Sequence, residues 1–172
     1  MRDYRRLLYE NLDFFLNLLC VISALYFFSS KPEIMAAIIV GGVSLAIGVR
    51  TNRVARDKLF KEIFMEYNNK YDLRFNNALG RIVCEAESDE NYAVNKEDKE
   101  LVIDYINFCS EEYLWYTKGG IPKRVWDAWY NGIKFYLKNK TINKVFRLEL
   151  ENNRASYYGF MEYIISDLQN EK

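Results

Sequence analysis

Two long apolar runs near the N-terminus constrain this 172-residue chain more than any other feature. The first extends from Leu12 to Ser30, and the second, which carries no charge, extends from Ile34 to Val49. Only Lys31-Pro32-Glu33 separates them, and proline is tolerated in the first turn of a helix. A membrane-spanning helix needs about 20 mostly apolar residues and at least about 17. The pattern therefore predicts a transmembrane helical hairpin with spans at about 12–30 and 33–49.

Basic residues flank this predicted hairpin on both sides. Arg2, Arg5 and Arg6 precede the first run, and five bases lie between Arg50 and Lys61. Because Lys and Arg concentrate on the cytoplasmic side of a membrane, both termini are expected in the cytoplasm. Residues 1–50 would form the hairpin in the membrane, and residues 51–172 a cytoplasmic domain. A pair of buried helices in a soluble protein is the alternative interpretation.

Small and polar residues recur at helical spacing in both predicted spans. In a bilayer, small residues let helices approach closely, and polar groups tend to face a bundle interior. One interpretation is that the two stripes pack against each other inside the hairpin. The other is that Asp13 and Asn17 line a pore shared by several copies, since two spans cannot enclose one. The helix-packing stripe is Ala37, Gly41, Ser44 and Gly48, and the polar-to-small stripe is Asp13, Asn17, Cys20 and Ala24.

Apolar residues of the remaining chain follow a helical period, so the predicted fold class is all-α. The second span has no helix breaker before Asn68-Asn69, so its helix is expected to continue into the cytoplasm. The acidic, polar segment 85–95 is the predicted loop, Asn95 a helix N-cap, Gly119-Gly120 a helix end and Pro122 a helix start. The other helices are expected at about 71–84, 96–118, 122–139, 141–151 and 155–169.

Bases and aromatic rings are interleaved between Lys118 and Arg147, where Asp127 is the only acid. Basic side chains neutralise phosphates and aromatic rings stack on bases, so this composition suits an anionic ligand such as an oligonucleotide. The alternative is that Trp126, Trp129, Ile133 and Tyr136 form a core-facing stripe. The predicted ligand-binding residues are Lys118, Lys123, Arg124, Trp126, Trp129, Tyr130, Lys134, Lys138 and Arg147.

The sequence offers little for catalysis or for a cofactor. It contains no histidine, which excludes imidazole bases and His-ligated metals. Its three cysteines lie far apart, and no phosphate-binding glycine loop or metal-spaced cluster is present. We therefore expect a protein that is not an enzyme and that needs neither metal nor cofactor.

Two stretches resemble a family of small bacterial proteins with two transmembrane helices and a helical cytosolic domain. They are FMEYNNKYD from Phe64 and FCSEEYLWYTKGGIPKRVWDAWYNGIKFYLKN from Phe108, followed by SYYGF from Ser156. The layout also resembles the membrane effectors of anti-phage systems of the Hailong type. That resemblance implies a tetramer controlled by a DNA oligomer, with a nucleotidyltransferase as partner.

The residue patterns predict an oligomeric ion channel or pore gated by an anionic oligonucleotide, and the resemblance implies a place in the bacterial inner membrane and a role in anti-phage defence. Lipid and further copies of the chain would be its partners in the membrane. The alternative is a membrane-tethered module that binds a protein and conducts nothing. The salt dependence of ligand binding separates the two, because phosphate contacts weaken steeply as salt rises.

Overall fold

A computed structural model describes residues 11–28, 30–89 and 92–170, without the side chains of residues 13, 27, 28 and 168–170. Every regular element in these ranges is helical, which confirms the all-α class. Two compact units are present, Met1–Lys58 and Leu59–Lys172. The helices are α1 Leu12–Phe28, α2 Pro32–Lys70, a π-helical segment Tyr71–Asn76, α3 Asn77–Ser88, α4 Lys96–Thr117, α5 Lys123–Leu137, α6 Lys140–Asn153, a 3-10 turn Arg154–Ser156 and α7 Phe160–Asn170.

Helices α1 and α2 meet in the first unit through small side chains. A Cβ at Gly42 would lie 2.7 Å from the Cβ and Sγ atoms of Cys20, so only glycine permits this approach. Ala24 and Ala46, which lie four residues beyond Cys20 and Gly42 on the same two helices, are also buried. The α1 residues belong to the predicted stripe, but the α2 residues do not.

The predicted stripe Ala37, Gly41, Ser44 and Gly48 is exposed in this unit. A Cβ at Gly41 or Gly48 would meet nothing within 4 Å. The interpretation in which this stripe packs inside the hairpin is therefore not the arrangement present, because the α2 glycine that contacts α1 is Gly42, which lies outside the stripe. Asn17 is half-buried, and the side chain of Asp13 lies outside the described residues.

Large apolar side chains cover the outside of the first unit. Phe14, Leu19, Tyr26, Val40 and Ile47 are all exposed. Within the described residues, the helix that begins at Pro32 is the one long and apolar enough to cross a membrane. The apolar stretch of α1, Phe14–Tyr26, is shorter. A surface of this kind is typical of a membrane or protein contact.

Helix α2 continues past the second apolar run, as expected, but the predicted break at Asn68-Asn69 is absent. Asn68 Nδ2 instead donates a hydrogen bond to the Phe64 carbonyl, 2.8 Å away, and the chain remains helical to Ser88. The predicted loop therefore begins four residues later than expected.

The π-helical segment explains how this long helix keeps one face in the core. Its inward residues recur every four positions, and each such step drifts about 40° around an α-helix. The wider turn of a π-helix, whose hydrogen bonds span five residues, offsets that drift. The inward residues are Ile63, Tyr67, Tyr71, Phe75 and Leu79.

Trp126 of α5 lies at the centre of the second unit and is fully buried. Its ring stacks between Tyr116 and Tyr130, with centroids 5.1 and 5.6 Å away, and meets Phe160 edge-on at 6.4 Å. Its Nε1 donates to the Tyr163 hydroxyl at 3.3 Å. Aromatic side chains from α4, α5 and α7 thus form one core.

Local signals set most of the remaining boundaries. Asn95 Oδ1 accepts from the Asp98 backbone N–H at 2.8 Å, which confirms the N-cap, and α4 ends before Gly119, whose φ is +75°. Helix α7 starts about five residues later than expected. Tyr158 and Gly159 occupy left-handed conformations, with φ of 51° and 82°, which interrupt a helix.

A buried carboxylate anchors the loop before α4. The side chain of Asp98 is only 3% exposed. It pairs with Arg81 and accepts hydrogen bonds from the Tyr92 hydroxyl and from Asn95 Nδ2, each at 2.9 Å. Burial raises the pKa of Asp98, but hydrogen bonds from Arg81, Tyr92 and Asn95 outweigh it and hold that pKa below its usual range.

Candidate anion-binding groove

The junction between α5 and α6 is fixed by two asparagines. Asn139 Oδ1 accepts from the backbone N–H groups of Thr141 and Ile142 at 3.0 and 3.2 Å, which caps α6. Asn143 Nδ2 donates to the Leu137 carbonyl at 2.8 Å and ties the first turn of α6 to the end of α5. The two helices therefore meet in a defined geometry.

A surface groove of about 450 Å³ opens at this junction. We call it the basic groove. Four of its lining residues are cations, and one, Glu151, is an acid. The lining consists of Leu137, Lys138, Lys140, Asn143, Lys144, Arg147, Leu148 and Glu151.

The cations of the basic groove form no ion pairs with carboxylates of the described residues. In the described part of the chain, no carboxylate lies within 4 Å of the charged groups of Lys138, Lys140, Lys144 or Arg147. The spacing of the three on α6 is four and three residues, which places them on one helix face. The groove therefore concentrates positive charge available to an external anion.

One guanidinium in the groove is oriented by the fold. Arg147 Nε donates to Asn143 Oδ1 at 2.7 Å, and the same asparagine holds the end of α5. The two terminal nitrogens of Arg147 are left for a ligand, and such a planar fork matches a phosphate well.

A second depression adjoins the basic groove. It has a volume of about 410 Å³ and lies between α6 and the loop before α4. Lys144 and Leu148 line both depressions, and Lys99 adds a cation to the second. An elongated anion can therefore contact both.

The structure divides the predicted basic residues. Lys138 and Arg147 line the basic groove, whereas the other four lie elsewhere. Lys118 Nζ lies 5.7 Å from the centroid of the Trp115 ring. Arg124 is exposed in the first turn of α5.

The remaining two predicted bases are engaged with acids. Lys123 Nζ donates to Asp127 at 2.7 Å, and this hydrogen bond raises the pKa of the lysine. Lys134 is only 24% exposed and lies 3.6 Å from Asp167. Both cations therefore already have an acidic partner.

The predicted aromatic residues do not join these bases at the surface. Trp126 and Tyr130 are buried in the core, so neither offers a face for base stacking. Trp129 is half-buried and faces Phe64 and Tyr67 of the long helix. The core-facing stripe is thus the arrangement present, which corrects the expectation of an aromatic ligand surface.

Several groove residues were absent from the predicted site. Lys140 and Lys144 carry a clear signal, since they share a helical face with Arg147. Asn143 and Lys99 carry none, because one acts through a backbone contact and the other lies in an acidic segment. Within the described ranges, no three His, Cys, Asp or Glu side chains are placed to hold a metal ion.

Comparison with known proteins gives no assignment for the chain. No family model, no curated protein and no solved structure is significantly similar to it. The function is therefore argued from the groove and the apolar first unit.

Proposed function

We propose that this chain is a membrane-anchored effector of the bacterial inner membrane, whose helical unit 59–172 binds an anionic ligand in the basic groove. The observation that carries this proposal is the set of four cations around one cavity, none paired with a carboxylate of the described chain. Uncompensated positive charge in a concave site attracts anions and focuses their field.

A phosphate-bearing chain is the ligand that suits the groove best. Lysines supply point charges and the oriented Arg147 a two-pronged donor, and both are typical phosphate partners. The adjoining depression with Lys99 supports a ligand longer than one phosphate group. An oligonucleotide fits this description.

The first unit supplies the membrane anchor in this proposal. Its exposed apolar side chains would be stable in lipid and costly in water. Both apolar helices would cross the bilayer, and the bases that follow Val49 would keep residues 51–172 in the cytoplasm.

Assembly of several copies completes the proposed effector. The stripe on α2 is exposed, and a methyl group added at Gly41 or Gly48 would meet nothing within 4 Å, so a second helix could approach there. Asp13 and Asn17 would then face a pore shared by the copies of a tetramer. A ligand gates such a pore only if it binds one packing state more tightly than the other.

Ligand binding is tested with a fluorescent single-stranded DNA oligomer and the detergent-solubilised full chain. Replacing Lys140, Lys144 and Arg147 together by Gln should weaken binding about tenfold or more, as expected for three exposed ion pairs. It should also flatten the salt dependence, with a slope in log–log form smaller by about 2.

The matched control replaces three cations outside the groove, Lys118, Lys123 and Arg124, by Gln. It removes the same charge but should leave affinity and salt slope close to those of the parent. Equal losses in both triple variants would reject the groove. A salt-independent affinity would favour the tethered protein-binding module instead.

Assembly is tested by native mass spectrometry of the same solubilised protein. The parent should form an oligomer of four or more copies, and Gly41→Leu should shift it toward smaller species because the added side chain blocks close helix approach. Val40→Leu, at an exposed apolar neighbour, is the matched control. A monomeric parent would remove the pore, since two spans cannot enclose one.

A further inference from the structure

A second cavity of about 190 Å³ lies in the helical unit, away from the basic groove. We call it the aromatic cavity. Helix α2, the π-helical segment, α4 and α5 all contribute to it, and its exposed rim includes Ala128 and Gly132. Its lining is Tyr67, Asn68, Tyr71, Tyr105, Phe108, Glu112, Ala128, Trp129, Gly132 and Ile133.

One acid, Glu112, lines this cavity. It is only 5% exposed, yet among the described residues it has no hydrogen-bond or ion-pair partner. The nearest cation, Lys70, pairs with Glu111 at 3.7 Å and lies 5.4 Å from the centroid of the Phe108 ring, but it is not part of the lining. Every fully buried side-chain oxygen and nitrogen of the described residues has a hydrogen-bond partner, so the Glu112 carboxylate must reach the open space of the cavity. A largely buried carboxylate that meets only this space is costly, which indicates a ligand there.

Aromatic rings surround the space next to Glu112. The Tyr67 centroid lies 5.2 Å from that of Phe108 and 6.1 Å from that of Trp129. The Tyr105 and Phe108 centroids are 6.3 Å apart. The Tyr71 hydroxyl lies 3.0 Å from that of Tyr136, which fixes its ring at the edge of the cavity.

We propose that the aromatic cavity binds an alkylammonium group, with Glu112 as counter-ion and the rings of Tyr67, Phe108 and Trp129 as its walls. Ring faces attract cations, most strongly when water is excluded. The carboxylate compensates the charge, and the apolar walls accommodate the alkyl substituents. This inference does not rest on the anion-binding proposal, because the two cavities share no residue and favour opposite charges.

Protonation of Glu112 couples to this binding. Burial, and next the charge of Glu111, raise the pKa of Glu112 well above its usual range, while Lys70 lowers it. The other titratable groups near it are Tyr67, Tyr71, Tyr105 and Cys109, and helix α5 adds none to the lining. An ammonium ligand needs the ionised carboxylate, so binding should release a proton and strengthen as pH rises.

The test measures binding of tetramethylammonium and choline to the full chain in a maltoside detergent, which has no ammonium headgroup. Calorimetry reports affinity and proton release, and the intrinsic tryptophan fluorescence, to which Trp129 contributes with Trp115 and Trp126, reports occupancy. The neutral isostere of choline, 3,3-dimethyl-1-butanol, should not bind measurably. Binding of n-butylamine, a primary ammonium, is compared with binding of tetramethylammonium and choline. The comparison shows whether the cavity takes primary or methylated ammonium groups.

Two variants locate the site. Glu112→Gln should weaken ammonium binding at least about tenfold and abolish its pH dependence, since it removes the counter-ion. Glu111→Gln, at the exposed neighbour, is the control and should leave binding unchanged or slightly tighter, because the Glu111 charge opposes ionisation of Glu112.

Gly132→Leu keeps the carboxylate but fills the rim. A Cβ at Gly132 meets nothing within 4 Å, and leucine is a better helix former than glycine, so the variant should fold while losing ammonium binding. Thermal unfolding checks its fold directly.

Folding is also informative for Glu112→Gln. Because the pKa of Glu112 is higher in the folded than in the unfolded chain, its ionisation destabilises the unliganded fold as pH rises. The variant should therefore unfold at a higher temperature than the parent at mildly basic pH. The proposal is overturned if none of the three ammonium compounds binds, or if the neutral isostere binds as tightly as choline. It is also overturned if Glu112→Gln binds the ammonium compounds as tightly as the parent does.

Discussion

Trp126→Ala is expected to lower the stability of the helical unit by about 3–5 kcal/mol. Its ring is fully buried, stacks on Tyr116 and Tyr130, and bonds Tyr163 through Nε1. Truncation leaves a large cavity and removes contacts with five other aromatic rings. Since a domain has about 5–15 kcal/mol of stability in total, this is a large share of it. Thermal unfolding of the solubilised protein, followed by near-ultraviolet circular dichroism, should show a midpoint about 10 °C lower or more.

The control for this variant is Phe135→Ala on the same helix. Phe135 is 61% exposed, so its loss should change stability by no more than about 0.5 kcal/mol. The comparison also decides between two roles for Trp126. If Trp126→Ala unfolded like the parent but lost oligonucleotide binding, the tryptophan would be a ligand contact and its core role would be rejected.

Asp98→Asn is expected to cost about 2–3 kcal/mol, somewhat less than a fully buried ion pair because Arg81 is partly exposed. The substitution removes the charge that holds Arg81, Tyr92 and Asn95 together at the start of α4. The loop before α4 should loosen with it. Hydrogen exchange of residues 92–95, together with the unfolding midpoint, measures both effects.

The pH dependence gives a second signature of Asp98. Its folded pKa lies below the unfolded value, so its stabilisation is complete above about pH 4 and is lost as pH falls through the folded pKa. The parent should therefore lose stability in acid more steeply than Asp98→Asn. Glu97→Gln, one residue earlier and exposed, should behave like the parent in acid. A parallel acid profile for the parent and Asp98→Asn would contradict this role.

Signals local to the chain predicted most of the fold. Asn95 caps a helix through the backbone N–H of Asp98, three residues later, and Gly119 ends one through its backbone conformation, so neither depends on tertiary contacts. Asn68 misled the prediction because its side chain bonds a carbonyl within the helix and does not interrupt it. The π-helical segment was missed because a run of period four is compatible with an ordinary amphipathic helix until its drift is counted.

The candidate site was harder to predict, because composition does not say which way a side chain points. The bases between Lys118 and Arg147 are one cluster in sequence, yet Lys134 turns to Asp167 and Lys140 to the basic groove. The spacing of Trp126 is compatible with a core-facing stripe and also with a surface on which bases stack. Only its burial in the structure distinguishes the two. Nothing in the sequence distinguishes Glu112 from its neighbour Glu111. Which of two adjacent acids is buried depends on how the helix packs.

The π-helical segment Tyr71–Asn76 also determines where this chain tolerates changes in length. Removing one residue there would restore ordinary α-helical winding, and five α-helical residues turn the chain through about the same angle as six π-helical ones, roughly 500°. Leu79 and Ile82 would then stay in the core, and Arg81 would stay beside Asp98. A one-residue deletion in the α-helical turns on either side would instead rotate everything beyond it by about 100°, so relatives that are one residue shorter should lack the π-helical winding and keep the same core face.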